Sequence, residues 1–181
     1  MRYAVAEGDL VRLKDGNSPL PEGAVEPVLN WDAIINLKPW YLKIVENEVV
    51  VKTQAEKDAA DDARLPDYKV AKKGEIDAKT SDLILKGFTY DGNEFSMSDH
   101  AQINWADLMV AGTAELLTYP VAISTDDNGT YDITDLDHLK AFFTAMLTRK
   151  EWCLSSGRDL KDEVDACTDI QELFAIHDDR T

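Results

Sequence analysis

Apolar residues come in short alternating runs over residues 1–53 and at helical spacing over much of residues 81–181. Tyr3-Ala4-Val5-Ala6 and Leu10-Val11-Arg12-Leu13 predict two short strands around a Glu7-Gly8-Asp9 turn. Asp15-Gly16-Asn17-Ser18-Pro19 is turn chemistry, because Gly supplies positive φ and Pro fixes φ. Pro19, Pro21, Gly23 and Pro27 predict an extended, irregular stretch. Trp31 to Leu37 fits a short helix. Trp40-Tyr41-Leu42-Lys43-Ile44-Val45 and Val49-Val50-Val51 flank Glu46-Asn47-Glu48, the pattern of a hairpin built from β-branched and aromatic residues.

The pattern then changes. Thr53-Gln54-Ala55-Glu56 has the form of a capping box, and Ala55, Ala59, Ala60 and Ala63 follow among charged residues. That helix is expected to end near Leu65-Pro66, since proline disfavours helix in the residue before it. Residues 67–80, rich in Lys and Asp, read as a solvated linker carrying a domain boundary. Asp91-Gly92 between Phe88-Thr89-Tyr90 and Phe95 predicts a tight hairpin. Ser98-Asp99 caps a helix through Ile103, Trp105, Leu108, Met109 and Leu116, which Pro120 stops. A second hairpin is expected around residues 125–130. From Thr134-Asp135 a long helix carries Leu139, Phe142, Met146 and Trp152 on one side. Ser155-Ser156-Gly157 is expected to break it, with two helices closing the chain. Strands first and helices packed on them give an α+β fold. The expected division is a β-rich attachment region over 1–53, a helix and linker over 54–80, and a hairpin-plus-helices domain over 81–181.

Composition narrows the partners. The formal net charge is −16, and residues 87–181 carry 6 basic against 19 acidic side chains. Such a segment repels phosphate backbones, which argues against nucleic acid. No window approaches the roughly 18 consecutive apolar residues of a membrane span. The first residues lack the apolar core of a signal peptide, so synthesis in the cytoplasm is expected. Cys153 and Cys167 are too few for a disulfide scaffold and read as reduced, partly buried thiols.

Little of the candidate chemistry converges. Counted as a calcium loop, Ser124 to Asp135 puts Asp126, Asn128 and Gly129 in register, but Ser124 and Asp135 weaken its two ends. The same residues are what a hairpin turn demands. His100 follows Asp99 without a nucleophile motif to serve, and reads as an exposed first-turn residue. With 35 acidic residues, some pair of carboxylates is inevitable and uninformative. No Gly-rich phosphate loop or paired-His motif occurs. The expectation is a non-enzyme with no cofactor and no metal site.

Several short motifs carry a resemblance. Gly87-Phe88, Tyr90-Asp91-Gly92 and Phe95 are followed by Asp99, Gln102 and Asn104, then by Tyr119-Pro120-Val121, Thr125, Asp127-Asn128 and Tyr131-Asp132-Ile133-Thr134. With the apolar positions Leu160, Val164, Leu173 and Ile176, they resemble the DUF4376 domain of small phage and prophage tail proteins. Ile123 departs from the family, which usually has an aromatic residue there. Residues 40–53 are similar to the head of tail-fibre-associated proteins. The resemblance implies a structural or adaptor role in a tail, baseplate or fibre. It also implies other tail proteins as partners, with homo-oligomers in the assembly and a place in the virion. A tail-fibre assembly chaperone that leaves the mature particle is the alternative. The attachment surface expected from the sequence is Trp31, Trp40, Tyr41, Val49, Val50 and Val51.

Overall fold

The computed structural model describes residues 2–15, 24–25 and 31–181. The turn expected at residues 15–19 and the irregular stretch from Pro19 to Pro27 lie largely outside the described residues. The fold is α+β, and the chain divides into two compact units, Met1–Tyr68 and Lys69–Thr181. Among the described residues no helix is long and apolar enough to cross a membrane.

The first unit is built from two hairpins. Strand β1 (Arg2–Glu7) pairs antiparallel with β2 (Leu10–Asp15), and Ala4 also exchanges two backbone hydrogen bonds with Val25. Helix α1 (Trp31–Ile34) and a 3-10 turn at Pro39–Tyr41 lead into β3 (Leu42–Val45) and β4 (Glu48–Val51). Opposite residues in an antiparallel pair share a face. Leu42, Ile44 and Val49 therefore point inward together, while Val50 lies outward across from Lys43. Ala4, Val11, Val25, Trp31, Ile34, Leu42 and Val49 form the core. Helix α2 (Gln54–Asp62) starts at the expected capping box: Thr53 Oγ1 accepts from Glu56 N, and Glu56 accepts from Thr53 N.

Residues 67–80 do not form a linker. Helix α3 (Leu65–Leu85) runs through them for 21 residues. Pro66 sits in its first turn, where the missing N–H costs nothing. The Lys, Ala, Glu and Asp that read as solvated are helix formers or tolerated polar residues on an exposed face. Ile76, Thr80 and Leu83, at helical spacing, bury the other face.

The second unit centres on one helix. The hairpin of β5 (Phe88–Tyr90) and β6 (Asn93–Phe95) turns on Asp91 and Gly92, both at positive φ, as Asp-Gly predicts. Helix α4 (Asp99–Thr113) is capped by Ser98, with Asp99 as its first residue. It ends before Leu116, because Glu115 turns to φ +58° while Leu116 N bonds Ala111 O and Glu115 N bonds Gly112 O. These paired bonds satisfy the last carbonyls and stop the helix. Strands β7 (Val121–Ser124) and β8 (Thr130–Ile133) form the last hairpin. Helix α5 (Leu136–Ala166) follows unbroken for 31 residues, capped by Asp135, and α6 (Ile170–Ala175) closes the regular structure.

Gly157 therefore does not break α5. A Cβ there would lie 2.6 Å from Thr80 Oγ1, so this glycine lets α3 pack close. Phe142 is the hub of the core: its ring lies 4.9–5.5 Å, centre to centre, from Phe95, Phe88, Trp105 and Tyr90. Edge-on contacts of this kind add to the area each ring buries.

Candidate association surfaces

The six residues expected to form an attachment surface do not share one. Trp31 and Val49 are core residues of the first unit, closed off by the hairpins. Val50 is half-buried and Val51 exposed, on β4. Trp40 and Tyr41 are half-buried in the 3-10 turn, where both reach Asp61 of α2. Trp40 Nε1 donates to Asp61 Oδ1 at 2.9 Å, and the Tyr41 hydroxyl donates to Oδ2 at 2.5 Å.

That carboxylate is the electrostatic centre of the unit. Its residue is only 6% exposed, and burial opposes its charge. Bonds from Tyr41 and Trp40, with the charges of Lys38 and Arg64, outweigh burial and hold it below the usual carboxyl range. The same bond, aided by burial, pushes Tyr41 up to about 12. Arg64 also stacks 4.7 Å from the Trp40 ring centre. The aromatic pair thus ties β3 to α2, a long-range role that strand patterning did not signal. Of the six residues, Val51 is the exposed one.

In the second unit, the residues weighed as a calcium loop fold as a turn around Asp127. Its Oδ1 accepts from Thr125 Oγ1 and Gly129 N, which lowers its pKa. Asp135 instead accepts from His138 N at the start of α5. Among the described residues no three His, Cys, Asp or Glu side chains are placed to hold a metal ion. His100 is exposed in the first turn of α4.

One polar chain went unseen in the sequence. The Tyr131 hydroxyl lies 3.0 Å from Asp91 Oδ2 and 2.9 Å from His138 Nε2. A hydroxyl has one proton, and the carboxylate can only accept, so Tyr131 donates to Asp91 and receives from His138. His138 Nδ1 is then the acceptor for Thr134 N at 3.3 Å. Burial, then the Asp91 bond, push Tyr131 up to about 12. The chain locks β8 and the first turn of α5 onto the β5–β6 turn.

A groove of about 800 Å³ lies beside β5. Lys86 and Thr89 line one wall, and Thr144, Thr148, Arg149 and Trp152 of α5 line the other. Arg149 lies 4.5 Å over the Trp152 ring, and Trp152 is 40% exposed. Tyr90 faces Asn93 across a two-residue turn, so Thr89 and Glu94 form the non-hydrogen-bonded pair and direct their main-chain groups outward. Glu94 O accepts from Asp126 N at 2.9 Å. Thr89, on the groove side, has no main-chain partner among the described residues.

A further surface lies on α4. Its inner side places Trp105, Leu108 and Met109 against the core, yet Ile103 and Val110, seven residues apart, are 58% and 67% exposed. Leu116, just past the helix, is 77% exposed. Residues 67–179 match the model of a family described as domain of unknown function, DUF4376. No curated protein and no solved structure matches the chain.

Proposed function

The chain belongs to the DUF4376 family, and from that premise we propose that it is a structural adaptor of a bacteriophage tail, acting by protein–protein association at a baseplate or tail-fibre joint. The observation that carries the association reading is α4. It presents apolar side chains inward to the core and, through Ile103 and Val110, outward to solvent. Ile103 and Val110 lie two turns apart on the side of α4 that is not packed on the core, and exposed apolar side chains grouped this way are a natural seat for a partner. The two-unit organisation supports the same reading, since a second body on the same chain is held at high effective concentration near the partner of the first. The tail itself enters through the resemblance of residues 87–176 and 40–53 to tail-associated sequences. Its partners on this reading are other tail proteins and further copies of itself.

Mass spectrometry of purified particles, made by cells that express the chain during infection, tests this. Peptides at a fixed ratio to the tail proteins are the expected result. Absence from particles, with abundance in the infected cells, replaces the adaptor by an assembly chaperone that leaves before maturation.

A further inference from the structure

We propose that the groove between β5 and α5 binds an extended acidic peptide segment of a partner protein, which adds as a strand to the Thr89 edge and places carboxylates at Lys86 and Arg149. This rests on the reading of the chain as an association module, though not on its place in a tail.

Two independent observations converge on the groove. The first is the backbone. Strand edges are templates for a further strand, and proteins usually cover or blunt them. Here the β6 edge is covered at Glu94 by Asp126, while Thr89, a residue of the groove wall, turns its N–H and C=O away from β6 with no main-chain partner among the described residues. An extended peptide meets that need directly, since main-chain bonds supply attraction and flanking pockets supply selectivity. The edge is short, because β5 has three residues, so side chains must contribute much of the binding.

The second observation is the charge. The unit is strongly acidic, and most of its cations are neutralised within it. Lys72, Lys73, Lys79, Lys140, Arg158, Lys161 and Arg180 each form an ion pair. Of the two cations that line this groove, Lys86 forms no ion pair among the described residues, and Arg149 pairs with no Asp or Glu side chain, its one bond being to Thr181 O at 3.3 Å. Arg149 is instead stacked on Trp152 and bonded to Thr181 O, so its planar fork is held in place beside the groove. One carboxylate, Glu94, also lines the groove and accepts from the Thr89 hydroxyl at 2.5 Å. A guanidinium held this way favours a carboxylate ligand in two-point contact. The chain's net charge of −16 repels acidic peptides generally, and physiological salt screens that field over about 8 Å, so acidic binding has to be local.

The test uses the full chain and a fluorescein-labelled heptapeptide, Glu-Thr-Val-Thr-Val-Thr-Glu, followed by fluorescence anisotropy at physiological salt. The Lys86→Glu/Arg149→Glu variant alters only exposed or half-buried side chains, and far-UV circular dichroism checks its fold. Saturable binding to the wild type, weakened roughly ten-fold or more by the double reversal, is expected. The reversed groove should also gain the matching peptide with Lys at both ends, an exchange that general damage does not produce. Thr89→Pro probes the backbone contribution. It removes the outward N–H, at a position where strands tolerate proline, and also the Thr89–Glu94 side-chain bond, which Thr89→Val removes alone as the control. Thr89→Pro should weaken the acidic peptide beyond that control, with the fold retained. No saturable binding by the wild type, or binding indifferent to the double reversal and to Thr89→Pro, overturns the proposal. Neither result bears on whether the chain is found in particles, so failure here is distinct from failure of the tail reading.

Discussion

Arg180 shows how much one residue can organise. Its side chain is 7% exposed, with Nη2 at 2.6 Å from Asp178 Oδ2 and Nη1 bonded to Thr80 Oγ1 and Cys153 O. It joins the C-terminal segment to α3 and α5 at the point where Gly157 leaves room. Arg180→Met should cost about 3 kcal/mol, the low end for breaking a buried pair, since Lys79 still lies 3.7 Å from Asp178. The Arg180 bond lowers the Asp178 pKa from 3.8. Its contribution is therefore complete above that value and lost as pH falls through the lower folded one. Melting curves from pH 7 to 3 should show the wild type losing stability below about pH 4 more steeply than Arg180→Met. Gly157→Ala should destabilise by about 1 kcal/mol, as the overlap with Thr80 outweighs alanine's helix propensity. In a Thr80→Ala background the same change should cost less, since only Arg180 Nη1, 2.9 Å from the added Cβ, still has to shift, and a double-mutant cycle of urea melts would reveal the difference. None of this was legible in the sequence. Ser155-Ser156-Gly157 reads as punctuation when neighbours are counted along the chain, and the reason for the glycine lies far away at Thr80.

Secondary-structure elements were legible where local chemistry decides them. Asp91-Gly92, the Thr53–Glu56 box and the Asp135 cap all act within a few residues, and each forms where the sequence puts it. The misread elements are those where a distant surface decides. Residues 67–80 read as a linker because their apolar positions are sparse, yet Ile76, Thr80 and Leu83 suffice to bury one side of α3. Trp31 and Val49, two of the six residues expected at the attachment surface, are core residues for a related reason. Alternation marks Val49 as facing one way but cannot say that the core lies on that side, and Trp31 gives no period at all. The β3–β4 turn offers a local test. Glu46 and Asn47 sit at φ +49° and +65°, a left-handed pair that glycine and asparagine adopt at least cost. Glu46→Asn/Asn47→Gly should raise stability by about 1 kcal/mol, read as a higher urea midpoint with an unchanged slope. A lower midpoint would mean that Glu46 makes a contact worth more than the strain.

At the scale of the molecule, the adaptor reading asks that two sites be held by independently formed bodies. Each unit has its own core, one around Leu42 and Ile34, the other around Phe142. Bodies with separate cores should unfold separately unless something couples them. Leu42→Ala empties part of the first core and should cost about 2–5 kcal/mol there. Phe142→Ala removes the ring that touches four others and should cost about 3–5 kcal/mol in the second. Calorimetry of both variants tells whether α3, which begins at Leu65 in the first unit and ends at Leu85 in the second, transmits these losses. The expected result is two transitions, with each substitution lowering one and leaving the other in place. A single transition lowered by both would make the chain one cooperative body. Its sites would then be fixed by packing, and gain from a flexible tether would drop out of the argument. The outer side of α4 and the β5 groove would then have to account for association by their own contacts.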